Sequence, residues 1–555
     1  MNKRLDIIQQ SFSELKGISI ETPFSLDDDL LMVGRIKVEI DAPEKYLFFD
    51  VKIYPEYPSK RLNTESITFI NPDYLEFGHV MGDGSICIHT SHQIDVKKKI
   101  EIDVNSLKRW IWKYYLNKEK DNHYEHLIYQ PKAHNNVHYS YLFTEVDNSF
   151  SKNQYGFFEF SKINDGLFYS KTIHNHIVQE FRDFKGNTLG KCKWSTAIQQ
   201  LPNRNIGIYV FLENPPAQIK KFIITNWQDL ESLVSQDVFK FLYGVQKNNL
   251  KLKGSPMPFM IGYRISDSEI YWQVAILEIG KFPIETYKDN KEWKGEFIDE
   301  QIIWGITRNC SYDYFFGRGK LTDEITKSKI LIIGIGAIGS IVATTLTRSG
   351  CTNIDLVDYD IKEPENVCRS EYSFLTGICN KVDDLRNELL SISPLVNIGF
   401  LDSNLFNYYT KITQGLTNQN VKLQESLSQY DIIFDCSTDN DLLYILSKLE
   451  LKRLITLSIT NNAKDLVCSV ESSSYNWVMN QYENVLENEL EDVYNPTGCW
   501  SPTFKASYND INTLVQYAIK HINLKFKLAS EDKSLRNFVL NTNEKDGFSI
   551  KLNEF

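Results

Sequence analysis

The sequence has no excess of positive charge and no long apolar run. Its formal net charge is −11 at pH 7, and its mean hydropathy is −0.33. An acidic balance offers no basic surface of the kind that a phosphate backbone requires. No uninterrupted apolar stretch approaches the roughly 20 residues that span a bilayer. We therefore expect a cytoplasmic protein that binds neither nucleic acid nor membrane.

The sequence also lacks paired cysteines. Its 9 cysteines are scattered, and none of them forms a C-x-x-C pair, so a paired-cysteine zinc site is not implied. An odd number of dispersed cysteines indicates reduced thiols and not a disulfide framework. The first residues mix charged and apolar side chains without a cleavage pattern, which predicts an amphipathic helix over Leu5–Leu15 and no signal peptide.

One run of the chain combines the parts of a nucleotide-binding unit. The β-branched block Ile330–Ile333 predicts a buried strand, and it leads into a G-x-G-x-x-G turn made of Gly334, Gly336 and Gly339. Such glycines let the backbone approach a phosphate at a helix N-terminus. Asp358 lies about twenty residues past the last glycine, where a carboxylate meets a ribose hydroxyl. A nicotinamide oxidoreductase would share all of these features.

The residues after Asp358 distinguish an ATP-using enzyme from a nicotinamide oxidoreductase. Glu365–Arg369 resembles the E-x-N-L-x-R segment of the ThiF/MoeB/ubiquitin-activating superfamily, and Lys381 lies at the spacing of that family's lysine. Asp431–Asn440 resembles the family's D-hhh-D-x-x-D-N strand and turn. The resemblance implies a C-terminal, Rossmann-like ThiF adenylation domain over residues 311–555, which uses ATP and Mg²⁺ to adenylate the C-terminal carboxylate of a protein.

The same resemblance implies roles for single residues. Arg369 and Lys381 would offset the charge on the α-phosphate and the pyrophosphate. Asn366 would position phosphate oxygens, and Asp358 would bind the ribose. Asp439 would hold Mg²⁺, a hard cation that prefers oxygen ligands.

Two further residues of this region are candidates. Arg318 resembles the family arginine that reaches the ATP of a dimer partner, which implies a homodimer; a solvated surface arginine is the alternative. Cys499 lies in a segment that resembles the G-C-x-x-P-T-F segment of bacterial activating domains, whose cysteine takes the acyl group from the adenylate. A turn before a helix start favours a reactive thiol, although a packed loop thiol fits the same position.

Residues 1–150 carry a second set of signals. Strands are predicted over Leu31–Ile40, Tyr46–Ile53 and Ser66–Ile70, and a later helix over Val104–Leu116. Asp83–Cys87 reads D-G-S-I-C and resembles the active-site motif of ubiquitin-conjugating (UBC) domains. This implies a UBC-like α+β domain with Cys87 as a thioester-forming nucleophile, because a thiolate accepts an acyl group and releases it to an amine. A buried structural cysteine is the alternative.

The family's H-P-N segment is missing. His79 lies about where its asparagine would fall and would donate to the oxyanion, or it is a loop histidine without a catalytic role. His89, just past Cys87, would orient or deprotonate the attacking amine. Residues 151–310 show strand-like and helical runs without a glycine fingerprint or a metal cluster, and we interpret them as a central α/β linker domain of unassigned function.

The whole chain resembles the fused conjugating and activating enzymes of bacterial antiphage (CBASS) operons. The resemblance implies that a cognate protein, a cGAS-like nucleotidyltransferase, is adenylated, passed to Cys499 and then to Cys87, and joined to a lysine of a target protein. A sulfur-carrier activator, a nicotinamide oxidoreductase and an inactive scaffold are the alternatives. The fold class expected is a multidomain combination of α/β and α+β.

Overall fold

The chain is described by a computed structural model that covers residues 2–27, 29–119, 131–146, 150–163, 172–212, 224–266, 269–403, 419–470, 474–485, 506–528, 536–545 and 547–555. It divides into two units, Met1–Cys192 with Asn203–Asn309, and Lys193–Pro202 with Cys310–Phe555. Cys499, the predicted acyl-accepting cysteine, lies outside the described residues. Strands and helices are numbered below in chain order.

The first unit begins with a helix and a four-stranded antiparallel meander, in which each strand pairs with the next in sequence. The elements are α1 (Asn2–Ser13), β1 (Ile18–Leu26), β2 (Met32–Glu39), β3 (Tyr46–Ile53), β4 (Ile67–Ile70) and α2 (Val96–Trp110), which continues as a π-helix over Ile111–Leu116. Every second residue of β2 faces the core, in which Ile36, Phe49 and Leu107 are completely buried. The strand predicted over Tyr46–Ile53 is confirmed, and the predicted later helix begins earlier than expected.

A sheet of eight strands forms the rest of this unit, in the order β11-β10-β9-β6-β7-β5-β14 with β8 beside β7. The strands are β5 (His138–Phe143), β6 (Tyr155–Lys162), β7 (Ile173–Asp183), β8 (Thr188–Lys191), β9 (Arg204–Phe211), β10 (Pro256–Ser266), β11 (Glu269–Glu278) and β14 (Ile306–Asn309), with a separate hairpin β12 (Ile284–Asp289) and β13 (Glu292–Phe297). The helices are α4 (Gln236–Asn248) and short 3-10 turns at Trp227–Leu233 and Leu250–Leu252. Aromatic rings fill its core, where Phe181 stacks on Trp272 at 4.3 Å.

The second unit contains a mixed sheet in the order β19-β16-β15-β20-β21-β22-β23-β24. Its strands are β15 (Ile330–Ile333), β16 (Asn353–Val357), β19 (Asn397–Phe400), β20 (Ile432–Asp435), β21 (Leu454–Thr460), β22 (Asp465–Ser469), β23 (Phe538–Asn543) and β24 (Ser549–Glu554), with a separate ribbon of β17 (Ile361–Lys362) and β18 (Cys379–Asn380). Its helices are α3 (Thr196–Gln199), α5 (Tyr312–Phe315), α6 (Asp323–Thr326), α7 (Ala337–Arg348), α8 (Pro364–Val367), α9 (Lys381–Ile392), α10 (Gln419–Ser428), α11 (Asn440–Leu446), α12 (Tyr475–Val485) and α13 (Tyr508–Leu528), and 3-10 turns occur at Phe374–Thr376 and Asn461–Ala463.

Helices cover both faces of this sheet. Ile330 and Ile332 of β15 point into a core shared with α7 and α13, whereas Leu331 and Ile333 point into a second core shared with α10 and α11. Burial on both faces explains why the strand reads as an unbroken β-branched run. Five neighbouring strands, β19 through β21, are parallel, so the predicted Rossmann-like architecture is confirmed.

The chain reverses direction across this sheet between β15 and β20. From β15 it moves to β16 and β19 on one side, and it returns to β20 and β21 on the other. Parallel sheets bind ligands in the crevice outside the carboxyl ends of their strands at such a point. Among the residues described, none of the helices has both the length and the apolar character that crossing a bilayer takes.

Candidate active site

A cavity of about 490 Å³ opens at the carboxyl ends of β15, β16 and β20. Seven of the predicted site residues line it, namely Gly334, Gly336, Asp358, Asn366, Arg369, Lys381 and Asp439. They come from separate stretches of the chain, and the strand order brings them together. Arg318 is exposed in the segment between α5 and α6 and is not among the residues of this wall.

The glycine turn is shaped by two close backbone approaches and one open position. A Cβ on Gly334, whose φ is +73°, would lie 2.5 Å from the Cα of Ser437, and a Cβ on Gly339 would lie 2.0 Å from the carbonyl oxygen of Gly334. Gly336 has nothing within 4 Å of its absent Cβ, so the backbone is open to the cavity. Since α7 begins at Ala337, its N-terminus and the open turn form an arrangement suited to a phosphate.

Asp358 holds this turn in place. One carboxylate oxygen accepts a hydrogen bond from the Ile335 N–H at 2.9 Å, and the other accepts from the Asp360 N–H at 2.9 Å. A carboxylate has about four acceptor positions, so lone pairs remain for a ribose hydroxyl. Asp358 therefore joins the end of β16 to the glycine turn, a structural contribution that the sequence analysis did not include.

Lys381 is the first residue of α9 and is largely buried. The side-chain Nζ of Lys381 lies 2.5 Å from the Oδ2 of Asp360. The backbone N–H of Lys381 donates to the backbone carbonyl oxygen of Asp360 at 3.2 Å. Asp360 therefore positions the ammonium group, and the sequence analysis missed it. The only signal was a second aspartate two positions after Asp358, also on the cavity wall.

A buried ion pair lies behind Lys381. Lys362 and Asp384 are each 1% exposed at the side chain, with 2.9 Å between Nζ and Oδ2. The Lys362 ammonium also donates to the carbonyl oxygen of Ser373 at 2.6 Å and to the Thr376 hydroxyl. Because Lys362 belongs to β17 and Asp384 to α9, the pair fastens the β17–β18 ribbon to the helix that begins with Lys381.

Asn366 and Asp439 both cap helices beside the cavity. The Asn366 Oδ1 accepts from the Glu363 N–H at 3.0 Å, at the start of α8. The Asp439 Oδ1 accepts from the N–H groups of Asp441 and Leu442 at 2.9 and 3.0 Å, at the start of α11. Both bonds to Asp439 use Oδ1, so its Oδ2 takes no part in capping α11. No cluster of three metal-ligating side chains occurs in the described part of the chain, so a divalent cation would need substrate oxygens as further ligands.

Asp435, the last residue of β20, holds the loop that follows this strand. It is 2% exposed, and its Oδ1 accepts from the N–H of Ser437 at 3.1 Å and from the Ser437 hydroxyl at 2.6 Å. Burial raises its pKa to about 6 in spite of these bonds. The carboxyl group fixes the turn that also contacts Gly334, and the sequence analysis gave it no role beyond the family pattern.

Cys87 lies in a separate site of the first unit. The D-G-S turn before it is fixed by the N–H and hydroxyl of Ser85, which donate to the Asp83 Oδ1 at 3.0 and 2.6 Å. Gly84 has a φ of +83°, and a Cβ on it would lie 2.7 Å from the Pro72 nitrogen. Cys87 itself is half-buried.

His79 contacts Cys87 through its backbone. Its carbonyl oxygen accepts from the Cys87 N–H at 2.8 Å, and its φ is +58°. The imidazole packs against Tyr114, with 4.6 Å between ring centroids. The oxyanion role of the His79 side chain stays a prediction.

Comparisons with known proteins agree with this geometry. Residues 308–476 match the ThiF family model. "ATP-dependent ubiquitin transferase-like protein Cap2" of Enterobacter hormaechei subsp. hoffmannii is 24% identical over 379 residues, which is 62% of this chain and 60% of that protein. The matched stretch therefore spans less than two thirds of that relative.

Shorter stretches match other proteins. "Ubiquitin-like modifier-activating enzyme 5" of Caenorhabditis elegans is 34% identical over 76 residues, 14% of this chain and 18% of that protein. "Molybdopterin-synthase adenylyltransferase" of Haemophilus influenzae is 28% identical over 119 residues, 21% of this chain and 43% of that protein. E. coli MccB, solved with ATP, has 16% identity and a TM-score of 0.29 over 42% of this chain and 65% of MccB. The strand order, and not this last similarity, identifies the fold.

Proposed function

We propose, on the basis that residues 308–476 form a ThiF family domain, that the chain activates the C-terminal carboxylate of a cognate protein by adenylation with ATP. The observation that supports this most is the cavity at the strand reversal. It combines an open glycine turn, a helix N-terminus, two cationic side chains and several carboxylates. A nicotinamide enzyme has no comparable need of Arg369 and Lys381 beside the phosphates.

The cavity residues suit the charge changes of this reaction. A carboxylate oxygen attacks the α-phosphorus, the bond to the β-phosphate oxygen breaks, and pyrophosphate leaves. The carboxylate and the triphosphate are both anions and repel each other as they approach. Arg369 and Lys381 line the cavity, and their positive charges would reduce this repulsion. Asp358 would accept a hydrogen bond from the ribose, and Asn366 would contact phosphate oxygens.

A magnesium ion fits the acidic side of the cavity. Asp439 would hold it through Oδ2, the oxygen not used in capping α11, together with oxygens of the triphosphate. When bound, Mg²⁺ supplies positive charge that offsets the charge on the departing pyrophosphate. Arg318 would act on the ATP of a second copy in a homodimer, which is consistent with its exposed position outside its own cavity.

The conjugation steps follow from two thiols. Cys499 would attack the adenylate carbonyl, releasing AMP, and Cys87 would take the acyl group by thioester exchange. A lysine amine of a target protein would then receive it as an amide. The helix, the meander, the loop that carries Cys87 and the second helix of the N-terminal region support a UBC-like domain within residues 1–150. The match to a protein described as an ATP-dependent ubiquitin transferase-like protein supports an ATP-dependent transfer reaction. The CBASS setting and a cGAS-like nucleotidyltransferase as the cognate protein are proposed from the sequence resemblance.

Ligand protection tests the adenylation step without the cognate protein. ATP with Mg²⁺ should raise the melting temperature of the full chain, NAD should not, and Arg369→Ala should remove the ATP effect. Lys327→Ala is a matched control, because its exposed side chain pairs with Asp323 away from the cavity wall. Protection by NAD and not by ATP would overturn the proposal in favour of an oxidoreductase.

Thioester trapping tests the two-thiol sequence. With ATP and a cGAS-like nucleotidyltransferase as the proposed cognate protein, the chain should form hydroxylamine-labile adducts. Cys499→Ala should abolish them all, whereas Cys87→Ala should leave the Cys499 adduct and stop transfer to lysine. Full conjugation by Cys87→Ala would exclude the relay and favour a sulfur-carrier activator.

A further inference from the structure

An imidazole lies directly beside the Cys87 sulfur. Ile86 and Ile88 are buried, while Cys87 and His89 alternate with them on the outward side of an extended segment. In extended chain, residues two apart share a face. The Cys87 Sγ and the His89 Nε2 are 3.7 Å apart, within the range of a thiol–imidazole hydrogen bond.

Both ends of this segment are fastened to other parts of the domain. The Cys87 N–H donates to the His79 carbonyl oxygen at 2.8 Å. At the other end, the Thr90 N–H donates to the Glu65 Oε1 at 3.2 Å, and the Thr90 hydroxyl lies 2.5 Å from the Lys99 Nζ. The contact between Cys87 and His89 is therefore held from both sides.

Lys99 belongs to a buried polar network. It is 2% exposed, and its ammonium contacts the Asp103 Oδ1 at 2.5 Å and the Glu65 Oε2 at 3.2 Å. The Tyr57 hydroxyl donates to the other oxygen of Asp103 at 2.9 Å. A buried charge is costly unless it is paired, so the network fixes the geometry of α2 against the loop that follows Cys87.

We infer that His89 is the proton-transfer residue of Cys87, positioned by Lys99 through Thr90. This inference rests on the proposed role of Cys87 as an acyl carrier. When Cys87 attacks an incoming thioester, its S–H proton passes to the neutral imidazole as the new C–S bond forms, and the departing thiolate leaves. When a lysine amine attacks the Cys87 thioester, a C–N bond forms and the C–S bond breaks. The amine proton passes through the imidazole to the Cys87 thiolate, which leaves as a thiol.

A small acyl thioester tests this inference without ATP or the cognate protein. The full chain is incubated with the acetyl thioester of N-acetylcysteamine until Cys87 is acetylated, and free lysine is then added. Loss of the acetyl group from the Cys87 peptide is followed by mass spectrometry. His89→Gln should slow the discharge by about 100-fold, in the range that positioned general acid–base groups provide. His92→Gln, at a neighbouring exposed histidine, should discharge at the parent rate.

Chemical rescue separates proton transfer from a structural contribution. Free imidazole should speed discharge from His89→Ala and leave the parent chain unchanged. Lys99→Met should slow discharge without creating a response to imidazole, because His89 remains present. Equal discharge by the parent and His89→Gln would overturn the role of His89 alone. Failure of Cys87 to acetylate in the parent chain would overturn the proposed function of Cys87 as well.

Discussion

Loss of Lys362 should loosen the helix that begins with Lys381. Lys362→Met removes one partner of an ion pair in which both side chains are 1% exposed, and it leaves Asp384 as an uncompensated buried charge. Breaking a buried pair in this way costs about 3–5 kcal/mol. The substitution also removes the donor to the Ser373 carbonyl oxygen and to the Thr376 hydroxyl, so the estimate lies at the upper part of that range.

Hydrogen exchange over α9 measures this effect locally. A chain of two units is unsuited to a single two-state melt, whereas exchange reports the opening of one element. A cost of about 3–5 kcal/mol corresponds to exchange of the Lys381–Ile392 amides that is faster by about 100-fold to several thousand-fold. Lys327→Met, which breaks an exposed pair with Asp323, should leave those amides unchanged.

The double variant Lys362→Met/Asp384→Leu provides the decisive comparison. Replacing both members of a buried pair by apolar residues is often nearly neutral, so this variant should exchange more slowly than Lys362→Met alone. The Asp384 Oδ1 accepts no hydrogen bond from the described residues, so its removal leaves no donor without an acceptor. Parent-like protection in Lys362→Met, or a double variant with the summed cost of both changes, would refute the reasoning.

Three further outcomes are expected. Because burial raises the pKa of Asp435 to about 6, the native state binds its proton more tightly than the unfolded chain does, so stability should fall as pH rises from about 4 to 6. Hydrogen exchange of the Ile432–Asp435 amides at several pH values measures this fall locally, and Asp435→Asn should lack up to about 3 kcal/mol of it. A variant with the pH profile of the parent would contradict this. Gly336→Ala should fold normally but bind ATP at least about tenfold more weakly, as measured by the ATP concentration needed for thermal protection. Gly339→Ala should unfold more easily, because its Cβ would lie 2.0 Å from the Gly334 oxygen. The same behaviour in both glycine variants would count against the described turn. Mixing Arg318→Ala with Arg369→Ala chains should restore thioester formation that neither has alone, and no recovery would argue against an arginine acting across a dimer.

The nucleotide site was largely predictable because its signals are local. The β-branched run Ile330–Ile333 is a strand at the predicted residues, since burial on both faces selects such a run. The glycines lie where a turn and two close backbone approaches require them. Seven of the predicted site residues line one cavity, although their roles in binding and catalysis stay predictions.

The residues that position the site could not be predicted in the same way. Lys362 and Asp384 are separated in sequence and look like solvated charges, and only the β17–β18 ribbon buries them together. The start of α2 was missed for a similar reason, because Lys99 follows two other lysines and reads as part of an exposed face. In the fold it is buried against Glu65 and Asp103.

Irregular elements were the other source of error. β1 was not predicted, because the register shifts near Ile20 and Thr22 interrupt the alternation that marks a strand. One of the helical runs of residues 151–310, Trp227–Phe239, is not a single helix but a 3-10 turn followed by α4, which begins only at Gln236. Asn226 and Asp229 form a capping box that starts the shorter turn, and such a local bond competes with a continuous helix.

The double use of Asp358 restricts which side chains the position accepts. A glutamate would carry the same charge and would reach a sugar hydroxyl as readily. Its longer stem, however, would displace both oxygens from the amides of Ile335 and Asp360, which the aspartate meets at 2.9 Å. Charge conservation is therefore insufficient at this position, and the length of the side chain is fixed by the loop it supports before any ligand enters.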